Sequence, residues 1–231
     1  MISGGNTKLG PISNFSLEAI KTCPGRSKAC EHVCYAGKGL YNMPSVKEAH
    51  SDNWDLGKSP KFAEHMLEQI KARGIRLMRI HASGDFKTPA YASKWLEIVQ
   101  RAKHTRFFVY TRSWRVDTIS PILWEMSRLS NMSMWLSCDH ETGSPPLWHS
   151  VRLAYMSLND DDMPQFPVDL IFRDQSSTPL VRDPVSKTLV CPYKQGMERS
   201  VKITCATCRL CFDKKRMILA RPGVTKRRSR K

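Results

Sequence analysis

The sequence predicts an α/β protein built on a parallel sheet, and three observations lead there. Apolar runs rich in β-branched and aromatic residues recur along the chain. Amphipathic stretches of roughly ten to fifteen residues separate them, the pattern of βαβ units. Polar clusters follow three of the runs: Ser83-Gly84-Asp85, Thr111-Arg112-Ser113 and Ser137-Cys138-Asp139. Five or six such units form a full or partial barrel, or an open doubly wound sheet. Both architectures place functional groups at the C-terminal ends of strands.

The elements follow in order. Ser59-Pro60 has the form of an N-cap followed by proline at the first helical position. Phe62, Met66 and Ile70 recur at a spacing of four, and Gly74 closes that helix. Ile75 to His81 is a buried strand. Thr88-Pro89 opens a helix with Tyr91, Trp95, Ile98 and Val99 on its apolar side. Arg106 to Thr111 (RFFVYT) is a strand by content. Ile119 to Leu129 is a helix, Met132 to Cys138 (MSMWLSC) a strand, and Val151 to Met156 and Val168 to Phe172 are shorter strands. After Phe172 the composition shifts to Pro, Asp and Ser. This divides the chain into an α/β unit over 1–172, a cysteine-rich C-terminal extension over 173–225 and a basic tail over 226–231.

Composition bounds the function. The 231 residues suit one domain, and 41% hydrophobic content with six tryptophans excludes a disordered chain. No segment approaches the ~18 apolar residues of a membrane span. MISGGNTKLG has no apolar signal region, so the cytoplasm is the expected compartment, and disulfides rarely persist there. The net charge of +16 and a pI near 9.7 suit a partner such as DNA or RNA, met through the basic surface and the tail. A solvated basic surface is the plainer alternative. No phosphate-binding or dinucleotide-binding glycine loop is present.

Eight cysteines in a reducing compartment point to metal. Cys191 with Cys205-x2-Cys208-x2-Cys211 has the run of an iron–sulfur ligand set, and Pro192 follows Cys191 as proline follows ferredoxin ligands. Zinc is the second choice, because its sites more often use two separated C-x2-C pairs. The N-terminal set is Cys23-x6-Cys30-x3-Cys34. Three ligands on one loop leave a fourth position for substrate. Cys138 decides that point: as a fourth ligand it would close the cluster, and as a buried free thiol it would leave it open. His32 and His81 are read as structural histidines.

GNTKLG (5–10), CPGRSKACEHVCYAGKG (23–39), RIHASGDF (79–86), FFVYTRS (107–113), WLSCD (135–139) and CATCRLC (205–211) resemble the phage "gene product 88" family, whose members occur in phages and related mobile elements. That resemblance implies no reaction. The cysteine loop is also similar to that of radical S-adenosylmethionine (SAM) enzymes, although its spacings of six and three depart from their C-x3-C-x2-C. This second resemblance implies a partial (βα)6 barrel, with Phe15 to Ala19 as the strand before the cluster loop. It implies a SAM site at Ser83, Gly84 and Asp85, with Arg112 for a carboxylate, Asp139 for a ribose hydroxyl and Ser137 beside them. Catalytic residues stay unassigned.

Two readings follow. In one, the chain is an enzyme with an open N-terminal [4Fe–4S] cluster and an auxiliary C-terminal cluster, acting on nucleic acid or nucleotides. In the other, it is a nucleic-acid-binding protein whose two closed clusters staple the fold.

Overall fold

A computed structural model of the chain describes residues 1–174, 182–183, 186–194 and 203–213. The basic tail over 226–231 and much of 173–225 lie outside the described residues.

The architecture is α/β. Seven strands form one parallel sheet: β1 (Ser13–Phe15), β2 (Leu77–Ile80), β3 (Arg106–Thr111), β4 (Met132–Cys138), β5 (Val151–Ser157), β6 (Leu170–Arg173) and β7 (Leu189–Val190). They lie side by side in chain order, so β1 and β7 are the edges. Six helices accompany them among the described residues: α1 (Lys28–His32), α2 (Pro44–Lys58), α3 (Phe62–Ala72), α4 (Pro89–Arg101), α5 (Ser120–Ser127) and α6 (Cys205–Cys208). No helix of the described residues is long and apolar enough to cross a membrane.

Strand order decides which faces the helices cover. A doubly wound sheet reverses its order, so that right-handed crossovers fall on both faces. Here the order never reverses, and the doubly wound alternative is set aside. Helices α3, α4 and α5 share one core with Phe15, Met78, Ile80, Phe107, Val109, Met134, Leu136, Leu153, Tyr155 and Ile171. These strand residues alternate with a second set: Phe108, Trp135, Ala154 and Leu170 point to the other face. There they meet no helix layer but Leu9 and Ile12 from the N-terminus and Cys191, Leu210, Cys211 and Phe212 from the C-terminal segment. The sheet thus has seven parallel strands in chain order, with β1 and β7 at its open edges. The described part of 173–225 adds β7 to this sheet and packs against its second face.

Local signals set most helix ends. Thr88 caps α4 by accepting from Tyr91 N at 3.3 Å, and Gly74, at φ +58°, ends the α3 turn. Three expectations need correction. Ser59 is the C-cap of α2, and α3 begins only at Phe62, because Pro60 falls between two helices instead of starting one. The first strand lies at Ser13–Phe15, not Phe15 to Ala19, because Ser13, Asn14 and Phe15 pair with Met78, Arg79 and Ile80. Helix α2, whose face is mostly polar, was not anticipated.

Candidate metal centre

The loop from Cys23 to Cys34 begins eight residues after β1 ends and lies across the C-terminal ends of β2, β3 and β4. Its anchors are specific. Leu17 N donates to Ser83 O at 2.9 Å and Ser83 Oγ donates to Leu17 O at 2.8 Å, which extends the β1–β2 pairing past the strand ends. Gly25 lies so close to β3 that a Cβ there would sit 1.9 Å from Arg112 O, so only glycine fits. Arg115 Nη1 donates to the carbonyls of Gly25 and Arg26 at 3.0 and 3.2 Å. Ser27 caps α1, accepting from Cys30 N at 3.0 Å and donating to Asp139 Oδ2 at 2.5 Å. The Glu141 carboxylate takes Lys28 N at 2.8 Å and Ala29 N at 3.2 Å, a favourable anion at free helix N–H groups. Tyr35, which follows the last cysteine of the loop, donates its hydroxyl to Ala82 O.

The polar groups expected to hold a small molecule also take part in such contacts. Asp85 is fully enclosed by the chain: Phe86 N, Thr111 Oγ1, Arg112 N and Ser113 N donate to it at 2.8, 2.7, 2.7 and 3.2 Å. Burial raises its pKa and those donors oppose the rise. Arg112 Nη1 donates to Asp139 Oδ2 at 2.6 Å in a buried ion pair, and Asp139 Oδ1 accepts from Glu141 N and Thr142 N at 3.0 and 3.1 Å. Gly84 sits at φ +78°, and its bare Cα faces Leu17 and Thr22 of the loop preceding Cys23. Ser83, Gly84, Asp85, Arg112 and Asp139 thus help to seat the cysteine loop, and the first four also line the cavity described next. Ser137, on the second face of β4, lines the cavity described next.

A cavity of about 200 Å³ lies under the loop. Cys23, Cys30 and Cys34 line one side, and Cys191, Cys205 and Cys211 line the other. The four C-terminal thiols also surround a smaller cavity beside Leu170 and Tyr193, which Cys208 lines. Cys138 lines neither. It belongs to the helix-facing core with Leu136 and Tyr155, and its thiol donates to Ala154 O at 3.5 Å. Strand alternation explains this, since Ser137 and Cys138 must point to opposite faces. As placed, Cys138 cannot complete the N-terminal set.

Burial pushes Cys23 up to about 12, with Asp85 and the neighbouring thiols adding to it, and pushes Cys211 up to about 12 against the hydrogen bond from Tyr110. Burial also raises Cys30 and Cys205. These thiols stay protonated unless a cation displaces the proton, which is what a bound metal does. Among the described residues, no three His, Cys, Asp or Glu side chains gather closely enough to hold a single metal ion. A tetrahedral zinc, with bonds near 2.3 Å, needs sulfurs about 3.8 Å apart.

Several groups here gave no signal in the sequence. Cys205 N donates to Lys8 O at 2.8 Å and Ala206 N to Leu9 O at 3.2 Å, so the GNTKLG turn is the seat of α6. Asn6 Oδ1 shapes that turn by accepting from Lys8 N and Leu9 N at 3.0 and 2.8 Å. Tyr110 OH donates to Cys211 Sγ at 2.8 Å and Trp135 Nε1 to Cys211 O at 2.9 Å. Arg79, only 7% exposed, lines the larger cavity, with its guanidinium over the rings of Phe108 and Tyr110. Its Nε donates to His81 O at 3.2 Å, and no carboxylate of the described residues lies within ion-pair distance of it.

Comparison with known proteins places the chain. Residues 2–214 match the family described as Gene product 88. The Gene 88 protein of Mycobacterium phage D29 is 30% identical over 149 residues, 59% of this chain and 60% of that protein. The Gene 88 protein of Mycobacterium phage L5 is 29% identical over 149 residues, 59% of this chain and 61% of that protein. The matched segment thus spans about three fifths of each phage relative's length. No solved structure matches the chain. The family match covers the GNTKLG turn, the loop it faces and the CATCRLC helix alike, and the chain belongs to the Gene product 88 family.

Proposed function

We propose that the chain is an iron–sulfur protein with two [4Fe–4S] clusters, one on Cys23, Cys30 and Cys34 and one on Cys191, Cys205, Cys208 and Cys211. We propose further that the N-terminal cluster keeps one iron for S-adenosylmethionine. The observation that carries this reading is the facing of both cysteine sets across one cavity while Cys138 points to the opposite side of the sheet. Arg79 supports it: an unpaired buried guanidinium costs several kcal/mol, and thiolate-ligated clusters supply the missing negative charge. Lys8, whose ammonium lies 4.9 Å from the Phe172 ring centre, lines the same cavity.

In this reading Cys23, Cys30 and Cys34 would hold the open cluster, which when bound and reduced would supply the electron for reductive cleavage of SAM. The chain's own part is positional. The cradle of Asp85, Arg112 and Asp139 holds the cysteine loop rigidly, and the loop closes the cavity against water. Ser83, Gly84, Asp85, Arg112 and Ser137 line the space where SAM would lie. Tyr110 donates to Cys211, which stabilises negative charge on that sulfur.

Anaerobic purification followed by iron and sulfide analysis tests the first half, with about eight irons expected from two cubes. Stoichiometric zinc without iron after anaerobic reconstitution would overturn it. The second half is read from the paramagnetic resonance spectrum of the reduced protein, which SAM should perturb. A spectrum indifferent to saturating SAM, with the N-terminal cluster present and reduced, would leave the non-catalytic reading.

A further inference from the structure

The opposite end of the sheet carries a second site. At the N-terminal edges of β2 and β3 a groove of about 480 Å³ is lined by four arginines, Arg73, Arg76, Arg106 and Arg209. Arg76 and Arg106 start neighbouring strands: Arg106 N donates to Arg76 O at 2.9 Å, and Leu77 pairs with Arg106 in register. Several arginines elsewhere meet carboxylates. Arg101 meets Glu64 and Glu97 at 2.7 and 2.6 Å, and Arg152 meets Asp169 at 3.2 Å. In the groove the nearest such contact is Arg209 to Asp213 at 3.6 Å, and no carboxylate of the described residues reaches Arg76 or Arg106. Arg73 spends one N–H on Ile2 O at 2.7 Å, and Arg106 lies over the Phe212 ring at 5.9 Å.

We infer that this groove binds the phosphodiester backbone of a nucleic-acid strand. Guanidinium forks match phosphate oxygens bidentately, and of the four around this opening only Arg209 meets a carboxylate among the described residues. An extended strand fits better than a free nucleotide for two reasons. The one aromatic ring in the lining, Phe212, is 4% exposed and offers no face for a base to stack on. Exposed Lys71 and Lys103 continue the positive charge beyond the groove, on the segments leading to Arg76 and Arg106. Recognition by phosphates alone is independent of sequence and strongly dependent on salt. Arg76 and Arg106, which the test below alters, lie at the end of the sheet away from the Cys23 to Cys34 loop.

The test is fluorescence anisotropy of labelled single-stranded and duplex oligonucleotides with the full chain, between about 50 and 200 mM salt. The double variant R76E/R106E should lose at least about tenfold in affinity at the low-salt end. Its log–log salt slope should flatten by about 1.4 on single strands or 1.8 on duplex, the share of two phosphate contacts. The milder R76Q/R106Q, which guards against misfolding, should lose affinity in the same direction, with circular dichroism and melting unchanged. K47E/K61E changes the net charge as much as R76E/R106E but lies outside the groove, and should bind much as wild type does. Equal weakening by the two Glu doubles would reduce the effect to net charge and overturn the site. Wild-type affinity in R76Q/R106Q, no binding by the wild type at low salt, or displacement of the strand by a mononucleotide at equal phosphate concentration would overturn it as well.

Discussion

Gly84→Ala distinguishes a glycine needed by the fold from one kept clear for a ligand. At φ +78° an L residue pays about 1–2 kcal/mol for the left-handed conformation. The added Cβ would also lie 2.6 Å from both Leu17 Cβ and Thr22 Oγ1, and 3.1 Å from the Leu17 carbonyl carbon. Overpacking of that kind costs about 1–3 kcal/mol, so the total loss is about 2–5 kcal/mol. Gly74→Ala is the internal control: φ is +58° there and nothing lies within 4 Å of the new methyl, which leaves only the conformational cost. Urea unfolding midpoints of the two variants should therefore differ by about 1–3 kcal/mol, with Gly84→Ala the weaker. Relief of the overlap would push Leu17 and Thr22 outward, and Thr22 immediately precedes Cys23. Metal at the N-terminal set should be lost before metal at the C-terminal set. Equal destabilisation by the two alanines would refute the overlap argument.

Two further outcomes follow from buried groups. Cys138→Ser should keep the wild-type metal content, because the thiol faces the helix core, at a stability cost of about 1–3 kcal/mol for a hydroxyl in apolar surroundings; loss of half the iron would restore Cys138 as a ligand. His81 is held down to about 3 by burial and then by Arg79, against about 6.5 when unfolded, so it is neutral in the fold. The unfolded chain then binds the extra proton: the stability is complete above about pH 6.5 and falls by about 1.4 kcal/mol per unit as the pH drops towards 3. His81→Asn, which tolerates the φ of +56° at this position, should flatten that fall between about pH 6.5 and 5, and an unchanged slope in urea titrations would count against it.

The sheet and the helix layer were legible where a segment carried its own period. Strands β3 and β4 stand out as apolar runs buried on both faces, and α3 and α4 repeat at helical spacing from Phe62 and from Tyr91. Helix α2 was hidden because only Asn53 and Gly57 are buried on it, and Pro44 at its first turn is the one local mark. Strand β1 was misplaced because its three residues are selected by pairing with β2. The cysteine sets were legible from spacing alone. The roles of the polar groups were not, because each depends on a partner far along the chain: Ser27 on Asp139, Gly25 on Arg112, Cys205 on Lys8. Chain alternation did hold the answer for Cys138, since a strand that turns Trp135 to one face turns residue 138 to the other.

The C-terminal segment is where these threads meet. Helix α6 has four residues, far short of the roughly 12–15 that an isolated helix needs, so its order must come from outside itself. Its own capping box, Thr204 with Thr207, satisfies the ends without supplying that order. Part of the order comes from the N-terminal turn, through the two backbone donors given to Lys8 and Leu9, and part from Leu210 and Phe212 against the second face of the sheet. If the four thiols hold the metal proposed above, its binding free energy is also folding free energy for this face. Cys205, Cys208 and Cys211 face the cysteine cavities, while Ala206, Arg209 and Phe212 of the same turn line the arginine groove. Arg209 reaches it from a left-handed backbone at φ +63°, a conformation held by its N–H donating to Cys205 O at 2.8 Å. Whatever fixes the sulfurs on one side of this turn therefore fixes a guanidinium on the other, and loss of metal should loosen the groove without touching Arg76 or Arg106.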